Sequence, residues 1–211
     1  MNRSIWIACL ALGLPLTVQA NEAEDIGHLQ TRWAEVNYQL PEKDKVKAFE
    51  ALAGEAEKLR EAHPGMPSYL IWEGIIRSTY AGAKGGMGAL GEVKKAKVLF
   101  EQAIAIEPGA MSGSALTSLG SLYYQVPGWP IGFGDDDEAL KLLQQGLSYN
   151  PDGIDSNYFY ADYLLEEKKY REAKVAFEKA LAAPARPGRE SADAGRRQEI
   201  NAKLAIVQRK L

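Results

Sequence analysis

The chain is poor in the residues that most site chemistry needs. Among 211 residues it has one cysteine, Cys9, and two histidines, His28 and His63. A lone thiol builds neither an internal disulfide framework nor a multi-thiolate metal site. The histidines stand in no H-E-x-x-H or H-x-x-E-H array, and no G-x-S-x-G elbow occurs. With no nucleophile beside an orienting base, the sequence predicts a protein that is not an enzyme and needs no cofactor or metal. Basic charge is not in excess either. Lys and Arg number 25 against 28 Asp and Glu, for a net charge of −3. They are scattered singly, without a basic stripe, so nucleic acid is not an expected partner. Period-two alternation is nearly absent after residue 21, which excludes an extensive sheet.

What is present begins with MNRSIWIACLALGLPLTVQA. Arg3 supplies a positive start, Ile5 to Leu16 an apolar stretch, and Val18-Gln19-Ala20 a small-x-small cleavage pattern. The run is shorter than the ~20 residues of a membrane-spanning helix. These features predict a secretory signal cleaved after Ala20 and a periplasmic mature chain. Trp6 stands three residues before Cys9 and apolar chain follows it, so the surroundings of Cys9 do not form a lipobox.

Beyond the signal the period is helical. Glycine and proline cluster at 64–67, 82–91, 108–113, 126–134, 151–153 and 184–188, cutting the chain into short helices. Three of these share one spacing. Ala96, Phe100, Ala103 and Pro108 recur as Ala139, Leu143, Gly146 and Pro151, and again as Ala173, Phe177, Ala180 and, one residue early, Pro184. Small, large and small then fall on one helical stripe, where a neighbour can approach closely before proline ends the turn. The preceding helices carry Gly74, Gly120 and Ala161 at equivalent places.

This pattern resembles the tetratricopeptide repeat, a helix-turn-helix unit of about 34 residues. The expected architecture is all-α: an α-solenoid of antiparallel helix pairs. A degenerate pair covers 21–64, repeats cover about 67–108, 113–151 and 154–187, and a capping helix follows at 189–211. The Ile200, Leu204, Val207 and Leu211 stripe suits such a cap.

Two turns within repeats look expanded, at Gly82–Gly91 and at Val126–Asp136. Equivalent turns lie along one edge of a solenoid, so these two are expected to be neighbours and to mark a binding face. Asp135, Asp136 and Asp137 precede a helix and lack the D-x-[DN]-x-[DN]-G calcium pattern, which favours helix capping. Trp129 and Phe133 either overhang a groove or plug the loop onto its own helices. The arginines 186, 189, 196 and 197 read as a solvated face rather than as an anion site. Carried over from tetratricopeptide proteins generally, in which the first helix of each pair lines the concave groove, the groove is expected to hold Ile71, Ile75, Thr117, Ser121, Tyr124, Tyr158 and Asp162.

The stretch PGWPIGFGDDDEALKLLQQGLSYNPDGIDSNYFYADYLLEEKKYREA is similar to periplasmic repeat proteins related to the T-component of TRAP transporters. The resemblance implies an auxiliary subunit that associates with an extracytoplasmic solute-binding protein and oligomerises. It also implies a cleft, so the alternative function is capture of a hydrophobic or organic-acid ligand beneath the two turns. The missing lipobox departs from that family and leaves membrane association open.

Overall fold

The computed structural model describes residues 16–211. The expected signal segment and Cys9 therefore lie almost wholly outside the described residues. Nine helices form among those that are described: α1 (Leu16–Tyr38), α2 (Glu42–Ala62), α3 (Pro67–Lys84), α4 (Gly86–Ile106), α5 (Ala110–Gln125), α6 (Asp136–Tyr149), α7 (Ile154–Glu166), α8 (Tyr170–Leu181) and α9 (Glu190–Gln208). Local chemistry sets several of these boundaries. Pro67 opens α3, where a missing N–H costs nothing. Asp135 caps α6 by accepting a hydrogen bond from the Glu138 N–H at 3.0 Å, and Asp136 and Asp137 follow in the first turn, where the helix dipole favours negative charge.

Consecutive helices pack as antiparallel pairs. The first members α1, α3, α5 and α7 also pack on one another in order, forming an inner layer, with α2, α4, α6 and α8 behind it. The small residues of the repeat make this close approach possible. A Cβ on Gly74 would lie 2.5 Å from the Phe100 ring, and one on Gly146 would lie 2.4 Å from Thr117 Oγ1. Phe100 and Phe177, the large residues of their stripes, are fully buried, as are Ala103 and Ala180. Truncating either ring to alanine would cost about 3–5 kcal/mol.

Two expectations change. The Gly82–Gly91 stretch is not an expanded loop: α3 runs to Lys84, Gly85 and Gly86 turn the chain at φ +63° and +59°, and α4 begins at once. The left-handed backbone at two successive glycines makes that sharp reversal possible. The other change concerns α9. Its Ile200 and Val207 are buried with α7 and α8, as a cap requires. Its first turns, however, reach the opposite end of the solenoid. Ala192 is buried in the N-terminal core, Ser191 Oγ accepts a hydrogen bond from Gln39 Nε2 at 2.9 Å, and the Tyr38 ring lies where a Cβ on Gly195 would be. The last helix thus joins the first, and the inner layer closes on itself.

Candidate functional site

A cavity of about 1080 Å³ lies inside this closed inner layer. Its walls come chiefly from the inner helices, with further residues from α2, α4 and α9 and from the segments before α6 and α9. One side is hydroxyl-rich. Ser78 and Thr79 of α3 and Ser114, Thr117, Ser118 and Ser121 of α5 all line it. Several of these hydroxyls spend their proton on their own helix. Ser78 donates to the Gly74 carbonyl at 2.8 Å, Thr79 to Ile75 at 2.9 Å, Ser114 to Met111 at 2.7 Å and Ser121 to Ser118 at 2.8 Å. Their oxygens retain acceptor capacity, which suits N–H donors entering the cavity.

The backbone at the start of α5 is unusual. Met111, Ser112 and Gly113 take left-handed conformations at φ +48°, +57° and +73°. Such backbone costs roughly 1–2 kcal/mol per non-glycine residue and tends to cluster at functional sites. Gly113 has a second constraint, because a Cβ there would sit 2.9 Å from the Tyr149 Cβ. Met111 and Ser112 both line the cavity.

Another part of the wall carries charge of both signs, from Arg186, Arg189, Arg196, Asp155 and Glu199. Arg196 is buried and donates from Nε to Asp155 Oδ1 at 2.8 Å and from Nη1 to Glu199 Oε2 at 2.6 Å. Arg186 donates to Asp155 Oδ2 and to the buried Asp193 Oδ1, each at 2.8 Å. Burial alone would raise the Asp155 pKa, but the Arg196 and Arg186 guanidiniums beside it hold it down at about 2. Arg197 bonds the carbonyls of Leu181 and Ala183. The arginine group is therefore not a solvated face. It ties α9 to α7 and to the end of α8, because folding α9 back places it over carboxylates distant in sequence.

Sequence-predicted site residues divide into two sets. Ile75, Thr117 and Ser121 line the cavity. Tyr124, Tyr158 and Asp162 do not, and α9 explains two of these: the Arg196 guanidinium lies 4.2 Å from the Tyr158 ring centre, and Lys203 Nζ sits 2.6 Å from Asp162 Oδ1. Tyr124 donates to Asp162 Oδ2 at 3.0 Å and so belongs to the same covered polar layer. Ile71 is fully buried in core. On α7 it is Phe159 that faces the cavity, together with Asp155 and Ser156.

The two loop aromatics also turn away. Phe133 packs edge-on against Tyr123 at 5.5 Å, with Lys97 Nζ 5.7 Å above it. Trp129 is 88% exposed and lines no part of the cavity. The 126–135 segment is held by its own backbone, with Gly134 N–H donating to Pro127 at 3.0 Å and Asp135 N–H to Tyr123 at 2.9 Å. Val126, Pro127 and Ile131 are the loop's contribution to the cavity wall. Sequence reasoning missed Trp33, Trp72 and Arg189 as cavity residues. Trp72 stands in its helix where Ser118 and Phe159 stand in theirs, two places before Gly74, Gly120 and Ala161, and that shared register was the available signal.

Among the described residues no group of His, Cys, Asp or Glu side chains is arranged to hold a metal ion. No described helix is long and apolar enough to cross a membrane.

Residues 154–185 match the family model for the tetratricopeptide repeat. The TPR repeat-containing protein YpiA of Bacillus subtilis (strain 168) is 30% identical over 91 residues, which is 43% of this chain. The chain spans 19% of the length of that relative. A crystal structure of a thermophilic TPR protein of Thermus thermophilus superposes with a TM-score of 0.57 at 16% identity, covering 92% of this chain and 96% of that one. The fold is a tetratricopeptide-type α-solenoid, with α7 and α8 forming the matched repeat.

Proposed function

We propose that this solenoid is a scaffold that receives an extended segment of a partner protein in its closed groove. The observation that carries the reading is the cavity itself, which combines size with lining. At about 1080 Å³ it exceeds the ~300–1,000 Å³ of ordinary small-molecule pockets. Apolar surface from Trp33, Ile75, Leu90 and Phe159 alternates with hydroxyl acceptors, which suits the side chains and N–H groups of a peptide. Tetratricopeptide arrays generally serve as non-catalytic binding scaffolds, and nothing in this wall calls for chemistry on the bound segment.

Affinity selection from a pool of short acetylated peptides tests this. The wild type enriches particular members, Ser118→Trp in the groove enriches none, and Val175→Trp on exposed α8 behaves as wild type. Equal enrichment by Ser118→Trp would place binding elsewhere and sink the reading.

The predicted signal and the T-component resemblance support a finer version: a periplasmic auxiliary of solute uptake whose partner is an extracytoplasmic solute-binding protein. Cell fractionation and titration with an extracytoplasmic solute-binding protein of the same organism test both parts. A cytoplasmic chain, or one that ignores that protein, would reject this version and leave the scaffold reading standing.

A further inference from the structure

The ring formed by the inner layer has one joint unlike the others. In a solenoid each helix pair packs on its sequence neighbours, whereas the contact of α9 with α1 and α3 joins opposite ends of the chain. The two sides of α9 are fastened differently. Toward α7 and α8 it is bound by core and by charge. Ile200 and Val207 are buried there, Lys203 Nζ lies 2.6 Å from Asp162 Oδ1, and Arg196 Nε donates to Asp155 Oδ1 at 2.8 Å. Arg186, in the segment before α9, links Asp193 to the same Asp155.

Toward α1 and α3 the polar fastening is slight. Among the described residues one hydrogen bond crosses, from Gln39 Nε2 to Ser191 Oγ, and it is exposed. The ion pairs of α9 run instead to α7, to Arg186 or within α9 itself. What holds this side is shape. Ala192 is buried against the N-terminal core, and a Cβ on Gly195 would lie 2.4 Å from the Tyr38 ring. Closing the joint also strands polar atoms. Tyr38 Oη, Trp72 Nε1 and Arg189 Nε are buried and unbonded, one each from α1, α3 and the start of α9. The remaining unbonded buried atom, Asp162 Oδ1, has the Lys203 ammonium beside it. The unanswered donors among the described residues therefore all sit at this joint. A buried donor without a partner forfeits its hydration, and parting the joint restores it.

From this we infer that the joint between α9 and α1–α3 is a gate, closed at rest, where the ring parts to admit a partner segment sideways into the cavity. The inference rests on the scaffold reading and deepens it, because an enclosed groove needs an entrance. In the open state α9 stays with α7 and α8, so no charge pair breaks. The displacement spreads over small rotations at each helix pair, as a solenoid allows. The fit of Tyr38 against Gly195 then restores a single closed register.

Hydrogen exchange by NMR on the intact chain reads the gate, since the Trp72 indole N–H is buried at the joint with no bond to hold it. Its protection factor should be lower than those of the Phe177 and Ala180 amides in α8 by on the order of a hundredfold, as for a local opening. Equal protection would mean that the joint parts only when the whole fold does, and overturns the gate. Gly195→Ala drives a methyl into the Tyr38 ring and should lower Trp72 protection by about a further tenfold, with α8 unchanged. An equal fall in α8 overturns the gate as well. Gln39→Cys with Ser191→Cys in a Cys9→Ser background, bridged by a bis-maleimide, holds the joint shut. Against the same protein with its thiols capped singly, the bridge should raise Trp72 protection. It should also slow binding of the acetylated peptide that the wild type enriches most, by on the order of tenfold. Should a variant fail to fold, wild-type exchange decides alone. An unchanged binding rate with raised Trp72 protection leaves the scaffold and removes the gate. If no peptide binds the wild type, the scaffold reading and the gate fall together.

Discussion

Arg77 and Arg189 are two arginines of one inner layer treated in opposite ways. Arg77, on α3, is 4% exposed and turned outward between α2 and α4. It donates to Glu73 Oε1 at 2.7 Å and to Glu92 Oε2 at 2.8 Å, and Glu57 lies 3.2 Å from its Nη2. Glu73 is itself 2% exposed and is also bound by Arg60. Burial alone would disfavour the Arg77 charge, but Glu73 and Glu92 more than reverse that, and its pKa is raised. Arg189, at the start of α9, has burial and the Arg186 charge against it; these outweigh the favourable Asp155 and Asp193, so its pKa is lowered. One cation is fully answered by its own fold and holds three helices together. The other lies in a cavity wall with its Nε–H unbonded. A buried charge bonded from within is architecture; a cation with an unbonded N–H in a cavity wall is still able to meet something else.

The comparison breaks most sharply at Arg77. Arg77→Ala leaves Glu73 buried with one cation fewer, and loss of one partner of a buried pair costs about 3–5 kcal/mol. Urea melts should show that drop, and a loss below about 1 kcal/mol would mean that the network carries little. Asp155→Asn comes next, with a cost of about 1–3 kcal/mol at neutral pH, since Arg186 and Arg196 lose their shared carboxylate.

That site also sets a pH dependence. The folded Asp155 carboxyl titrates at about 2, below its unfolded value. Its contribution is therefore present above the unfolded value, roughly pH 4, and is lost as pH falls through the window down to about 2. Melting temperatures between about pH 5 and pH 2 should fall more steeply in the wild type than in Asp155→Asn. Parallel curves would remove Asp155 from the acid transition.

Much of the fold was legible because it is written locally. Gly74, Gly120 and Ala161, with their Phe or Leu partners and terminal prolines, encode close helix contacts within a single repeat. Asp135 likewise declares its cap at short range. The groove was only half legible. Ile75, Thr117 and Ser121 follow from the repeat analogy that puts first helices on the groove, but the loss of Tyr158 and Asp162 required knowing that α9 folds back over α7. No local period encodes that contact, since Arg196 and Asp155 are 41 residues apart. The 126–135 loop misled for a related reason: aromatic residues announce burial or binding, and only the tertiary path says which.

Smaller effects test these assignments further. Phe133→Ala loses the edge contact with Tyr123, worth ~0.5–1.5 kcal/mol beyond its buried area. Arg189→Gln should change stability by less than about 1 kcal/mol, the scale of its cation–π contact, in contrast to Arg77. Trp129→Ala should stay within ~0.5 kcal/mol, because the ring is exposed. A Trp129 variant that melts many degrees lower would show that ring to be structural after all.

Closure of the solenoid by α9 is what turns an open concave face into an enclosed groove, and spin labels can read it directly. With Gln39→Cys and Ser191→Cys labelled in a Cys9-free background, pulsed and continuous-wave electron paramagnetic resonance should report one short, narrow distance, as neighbouring side chains require. A broad population at long distance would mean an open solenoid, with no enclosed groove and no corner shared by Tyr38, Trp72 and Arg189.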